Sequence, residues 1–164
     1  MGRGLAGRPT ALGPFELDSR PDRRQYTAMN ALEEGGDLKL DFGKLAKAAA
    51  SSQGLVPVAV QNANTGEVIL VAYTNELAFR KALASRRLVL WSTSRNELWE
   101  KGATSGNGFE LVEVRVNCEQ NALLYMVRPQ NQGICHTKDK AGRARNCFYR
   151  RLNLDNMKLE NQDP

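Results

Sequence analysis

Short apolar runs broken by turn residues dominate the chain from Val56 onward. VPVAVQ (56–61) and VILVAY (68–73) flank Asn64, Thr65 and Gly66, and two β-branched runs around a glycine turn predict a hairpin. Asn75 is placed to cap NELAFRKALAS, whose spacing predicts Ala78, Phe79, Ala82 and Leu83 inward, with Leu77, Lys81 and Ser85 on other faces. LVLWST predicts a third strand. Residues 94–108, with glycines at 102, 106 and 108 among serines and threonines, predict a loop of unusual hydrogen-bonding capacity. FELVEVRVN alternates polar and apolar positions and ALLYMVRP follows at once, so Glu119 and Gln120 are predicted at the tip of a second hairpin. CFYRRLNL carries the last strand signal, ahead of the polar run DNMKLENQDP.

Upstream, LKLDFGKLAKAAA from Leu38 has helical spacing and ends in good helix formers. Residues 1–36 mix Gly, Pro, Arg and Asp without a period, which predicts a disordered extension, with Met29 an alternative start. The expected organisation is therefore an extension over 1–36, one domain over 37–154 and a polar tail over 155–164. Hairpins joining most neighbours, with one or two helices, predict a β-rich α+β domain of antiparallel hairpins, not a doubly wound parallel sheet.

Composition narrows the function classes. The 164 residues, 41% hydrophobic and 25% charged, suit one globular domain. The apolar run 68–73 falls far short of the roughly 20 residues that cross a bilayer, so no membrane partner is expected. The first fifteen residues come near the arginine-rich, acid-poor composition of a transit peptide but are not serine-rich, which disfavours one. Three cysteines cannot all pair, so a disulfide framework is disfavoured and a cytoplasmic location expected. The net charge of +5 is scattered, with no basic stripe interleaved with aromatics. It favours an anionic, phosphorylated small molecule over nucleic acid.

The candidate chemistry concentrates in CHTKDKAGRARNCFYR (135–150), which holds two of the three cysteines and the only histidine. Cys118, Cys135 and Cys147 suit a soft divalent ion such as zinc, with a fourth position left for water. Equally, cysteines are small hydrophobes often buried for packing, and no CxxC is present. His136 follows Cys135 directly, and neighbours in an extended segment point opposite ways, so His136 fits a general acid or base better than a ligand. A lone histidine is more often structural. Asn117, Glu119 and Asn121 offer three oxygens to a hard cation such as Mg²⁺, yet are also common turn residues. Ser92, Ser94, Arg95, Lys101, Thr104, Ser105 and Gly106 supply the cations and freed backbone amides that a phosphate requires, although a flexible surface loop explains them nearly as well. Trp91 and Trp99 are candidates for stacking on a base, with core burial the commoner role. The residues alone lead to a zinc hydrolase acting on a phosphorylated ligand.

From about Gly54 to Arg150 the chain resembles the phosphoribosyl-AMP cyclohydrolase family, histidine-pathway enzymes that open the adenine ring of phosphoribosyl-AMP. The resemblance rests on GLVPVAVQ, TGEVILVAYTNE, LWSTSRNELWEKGATSG, Cys118 with NALL after it, CHT and CFYR, in family order. It implies a homodimer in which Cys118 of one subunit joins Cys135 and Cys147 of the other on a shared zinc. It also implies a Mg²⁺ site from a DxDxD triad around the first cysteine. Here those positions are Asn117, Glu119 and Asn121, with one charge in place of three, and the segment between Cys135 and Cys147 is longer than the family spacing. The implied reaction is metal-assisted hydrolysis at C6 of the N1-substituted adenine. His136 would pass a proton toward N1 as the C6–N1 bond breaks, and the loop from Ser94 to Gly106, with Trp91 and Ser92, would bind the substrate. Two alternatives are a homologue repurposed for another purine nucleotide and a non-enzymatic, zinc-stapled ligand-binding dimer. With fourteen residues after Arg150, no fused second enzyme is expected to follow.

Overall fold

The computed structural model describes residues 1, 31–51, 54–103, 106, 108–130 and 133–164. A helix α1 (Lys44–Ser51) precedes the sheet. Strands β1 (Val56–Asn62) and β2 (Val68–Thr74) form the predicted first hairpin, with Val58 opposite Ala72 and Ala59 opposite Val71. Gly66 holds φ +77° in the connecting turn, a conformation costly for any residue with a Cβ. Helix α2 (Glu76–Ser85) follows, and the Asn75 side chain accepts from Ala78 N at 2.9 Å. Its buried stripe is Ala78 and Ala82, two small residues that bring the helix close to the sheet. Leu83, expected inward, is 38% exposed, because a helix this short rests on one narrow stripe and leaves the next row at its edge.

Strands β3 (Val89–Ser92), β4 (Glu97–Glu100), β5 (Phe109–Val116) and β6 (Leu123–Pro129) complete a sheet in the order β4-β3-β2-β1-β6-β5. β4 lies within the stretch expected to be a loop. Four residues are too short to show alternation, and their strand state comes from pairing with β3, Val89 opposite Glu100 and Ser92 opposite Glu97. β5 and β6 form the second predicted hairpin. The two hairpins meet along β1 and β6, the one parallel strand pairing among the described residues, so the fold remains a strand-rich α+β domain. Val58, Val60, Tyr125, Val127, Phe109 and Leu111 join Ala78 and Ala82 of α2 in one buried core cluster, with α2 lying against β2 and β3. The final strand signal begins later than expected. Cys147 and Phe148 lie in a turn, β7 (Arg150–Leu152) follows, and it pairs with β8 (Leu159–Asn161) inside the polar run.

The extension expected over 1–36 lies, for residues 2–30, outside the described residues. Residues 31–34 form a helical turn, and Gly36 O accepts from Leu159 N at 2.8 Å. Among the described residues no helix is long and apolar enough to cross a membrane.

Candidate metal centre

The segment between Cys135 and Cys147 folds back on itself as a small hairpin. Cys135 N donates to Arg145 O at 2.8 Å, Arg145 N to Thr137 O at 3.1 Å and Asp139 N to Arg143 O at 2.9 Å. At its tip the Asp139 carboxylate accepts from Ala141 N, Arg143 N and Arg143 Nε. At its base Gly133 sits so close to the carbonyls of Ala144 and Arg145 that a Cβ there would collide with both. Buried Ile134 pins one arm in the core, and Cys147 N donates to Ile69 O at 3.0 Å, pinning the other to β2. The length of the loop is therefore absorbed by its own ladder, and its two ends bring the cysteines together. Arg143 pairs with Asp139 and Arg145 with Glu34, each at 2.7 Å.

The two thiols share a hydrogen bond. Donation from Cys147 is the main reason the Cys135 thiol is held down to about 5; the Thr137 hydroxyl, 3.1 Å from Cys135 Sγ, the Thr137 backbone and the charge on His136 add to it, against burial. The Cys147 thiol is pushed up because it donates that bond, and because it is buried beside the anion. The pair thus holds one thiolate and one thiol at neutral pH. In metal-free protein, alkylation of Cys135 is expected to stay fast down to about pH 6 and fall with a midpoint near 5, since the thiolate is the reactive form. A midpoint near 8.5, the ordinary thiol value, would contradict the sharing. As a donor set the pair suits a soft ion, since one sulfur is already anionic and the other carries a proton it can release.

His136 projects outward with its side chain 77% exposed, and Nε2 lies 2.6 Å from Glu33 Oε1. That hydrogen bond is the first cause of its raised pKa; the Cys135 thiolate adds to it, while burial and Lys101 oppose it. Arg145, only 4% exposed, sends its guanidinium to Glu34 at 2.7 Å and stacks 4.6 Å from the centre of the Tyr149 ring. Glu33 escaped sequence reasoning because it lies in the segment assigned to the extension. The only local signal was a pair of acids, Glu33 and Glu34, in a chain whose histidine segment is basic.

Lys101 lies within electrostatic reach of both His136 and Cys147. It also lines a cleft of about 470 Å³ with Lys81, Arg95, Glu97, Trp99 and Gly102. Of the other expected substrate residues, Ser92 Oγ and Ser94 Oγ lie 3.4 Å apart in the β3–β4 turn, Arg95 pairs with Glu97 at 2.9 Å, and Gly106 N donates to Gly102 O. Thr104 and Ser105 are outside the described residues. Trp91 and Trp99 are half-buried and pack against the core.

Cys118 stands apart, exposed in the β5–β6 turn. Around it, Asn117 Oδ1 accepts from Asn121 N and Ala122 N at 2.9 Å. Asn117 Nδ2 donates to Asn121 Oδ1 at 2.7 Å, and Asn121 Nδ2 donates to Glu119 Oε2 at 2.9 Å. The three expected Mg²⁺ ligands spend these atoms on closing their own turn. Among the described residues no three His, Cys, Asp or Glu side chains of one chain converge on a metal position. One chain brings together Cys135, Cys147, His136 and Lys101, and leaves Cys118 facing outward.

The family model for phosphoribosyl-AMP cyclohydrolase matches residues 70–149. The chain is similar to the phosphoribosyl-AMP cyclohydrolase of Archaeoglobus fulgidus, 43% identical over 65% of this chain and 93% of that protein. The protein of the same name from Halobacterium salinarum is 41% identical over 78% of this chain and 94% of its own length. It is also similar to the histidine biosynthesis bifunctional protein HisIE of Aquifex aeolicus, 38% identical over 77% of this chain, and there it spans only 55% of the relative's length. With two full-length relatives above 40% identity, the chain belongs to the phosphoribosyl-AMP cyclohydrolase family of enzymes.

Proposed function

We propose that this protein is a zinc-dependent hydrolase that opens the adenine ring of 1-(5-phosphoribosyl)-AMP at the N1–C6 bond, in histidine biosynthesis. What carries the reading is the pairing of Cys135 with Cys147 at the two ends of the hairpin, a coupling that holds the Cys135 thiol down, beside His136 and the Lys101 cleft. Cys135 and Cys147 of one subunit, with Cys118 of a second, would hold the zinc. When bound, the ion supplies Lewis acidity and a water acidified toward neutrality. His136 holds and passes the proton that ring N1 gains as the C6–N1 bond breaks. Lys101 and Arg95, at the cleft, attract and orient the phosphates, and positioning matters because water is abundant while the reactive geometry is rare.

The homodimer has independent support. By register Ala59, Val71 and Leu124 share the sheet face opposite the core, and Val71 is 54% exposed. A half-exposed apolar face with an outward thiol at one end of its sheet is what a second copy would cover. The proposed reaction does not call on Mg²⁺, because Asn117, Glu119 and Asn121 are engaged with one another. The test is a spectrophotometric assay with phosphoribosyl-AMP, run as purified, after chelation, and with zinc or Mg²⁺ restored. Turnover should vanish on chelation, return with zinc and respond little to Mg²⁺. A folded, zinc-loaded dimer without turnover under any condition would favour the repurposed or non-enzymatic homologue.

A further inference from the structure

His136 and Glu33 are 103 positions apart, and a contact between an exposed histidine and a carboxylate is ordinarily weak. This carboxylate, however, sits on a segment fastened along its length. Leu32 O accepts from Arg150 Nη1 at 2.8 Å, Glu33 O from Tyr149 Oη at 2.7 Å, and Glu34 Oε1 from Arg145 Nη1 at 2.7 Å. Asp37 Oδ1 then accepts from Lys158 Nζ at 2.6 Å. The donors Arg145 and Tyr149 flank Cys147, and Arg145 is buried at the base of the hairpin that joins the cysteines. The entropy of holding Glu33 in place is thus met by backbone and buried contacts, not by the His136 pair itself.

A carboxylate bonded to Nε2 fixes the proton on that nitrogen and stops the ring from turning, which leaves Nδ1 as the atom free to exchange a proton with a substrate. An exposed imidazole without such a partner would rotate and present either nitrogen. We propose that Glu33 is a positioning residue for His136, and that segment 31–37 and the hairpin between Cys135 and Cys147 act as one clamp that delivers it. The proposal rests on the hydrolase reading. It gives the N-terminal segment and the long inter-cysteine loop a joint role in the reaction.

His136 is the only histidine, so imidazole signals of the full ¹⁵N-labelled chain need no assignment. The wild type should show a low-field Nε2–H resonance protected from water exchange, and Glu33→Ala should lose it. In the same variant kcat should fall about 10- to 100-fold, with KM held within about twofold. Introduced into His136→Ala, Glu33→Ala should cost nothing further, because it acts only through the ring. Full kcat in Glu33→Ala, or an equal loss in the His136→Ala background, would overturn the proposal. A wild type that turns over but lacks the resonance would overturn it too. A wild type that keeps the resonance but has no turnover would instead overturn the hydrolase reading, and the catalytic role with it.

Discussion

Replacing Cys118 with serine is expected to lower turnover of phosphoribosyl-AMP by roughly 10³-fold or more, although nothing in a single chain explains why it should. The residue is exposed in a turn whose hydrogen bonds are made by Asn117, Glu119 and Asn121. An exposed change of this kind ordinarily shifts stability by no more than about 0.5 kcal/mol. The loss is expected because a serine hydroxyl does not replace a thiolate on a soft ion. Zinc content should fall together with turnover, while the thermal midpoint of the metal-free protein stays at the wild-type value. Full activity in Cys118→Ser would remove this residue from the site and leave the Cys135–Cys147 pair without its expected third sulfur.

The hairpins were legible because alternation and the Gly66 turn are local signals, and the α2 cap was legible because Asn75 acts on a residue three positions away. The side-by-side pairing of β1 with β6 was not, since it joins strands some sixty positions apart and no local preference encodes it. β4 and β8 were missed for a related reason: runs of four and three residues have too little pattern to read, and their neighbours decide their state. At the site, the thiols and the histidine stood out because they are few and lie close in sequence. Glu33 did not, because its meaning depends on Tyr149 and Arg145 more than 100 positions away. The turn at 117–121 gave the opposite case. Oxygen-bearing residues at alternate positions suggested a cation site, and the structure shows the same groups bonded to one another.

A site shared between two copies, as proposed, makes a second large prediction. Cys118→Ser and Cys147→Ser should each be inactive alone, for each breaks every site of its own homodimer. Refolded together in equal amounts they should form mixed dimers, as symmetric interfaces exchange partners at random. In a mixed dimer one site combines both substitutions, and the other combines the intact Cys118 of one chain with the intact Cys135 and Cys147 of its partner. Half the dimers would be mixed and half of their sites whole, so the mixture should recover about a quarter of wild-type turnover and a matching share of zinc. Activity in the mixture no higher than that of either variant alone, from protein that is dimeric, would contradict a zinc hydrolase whose site is built across two copies of this chain.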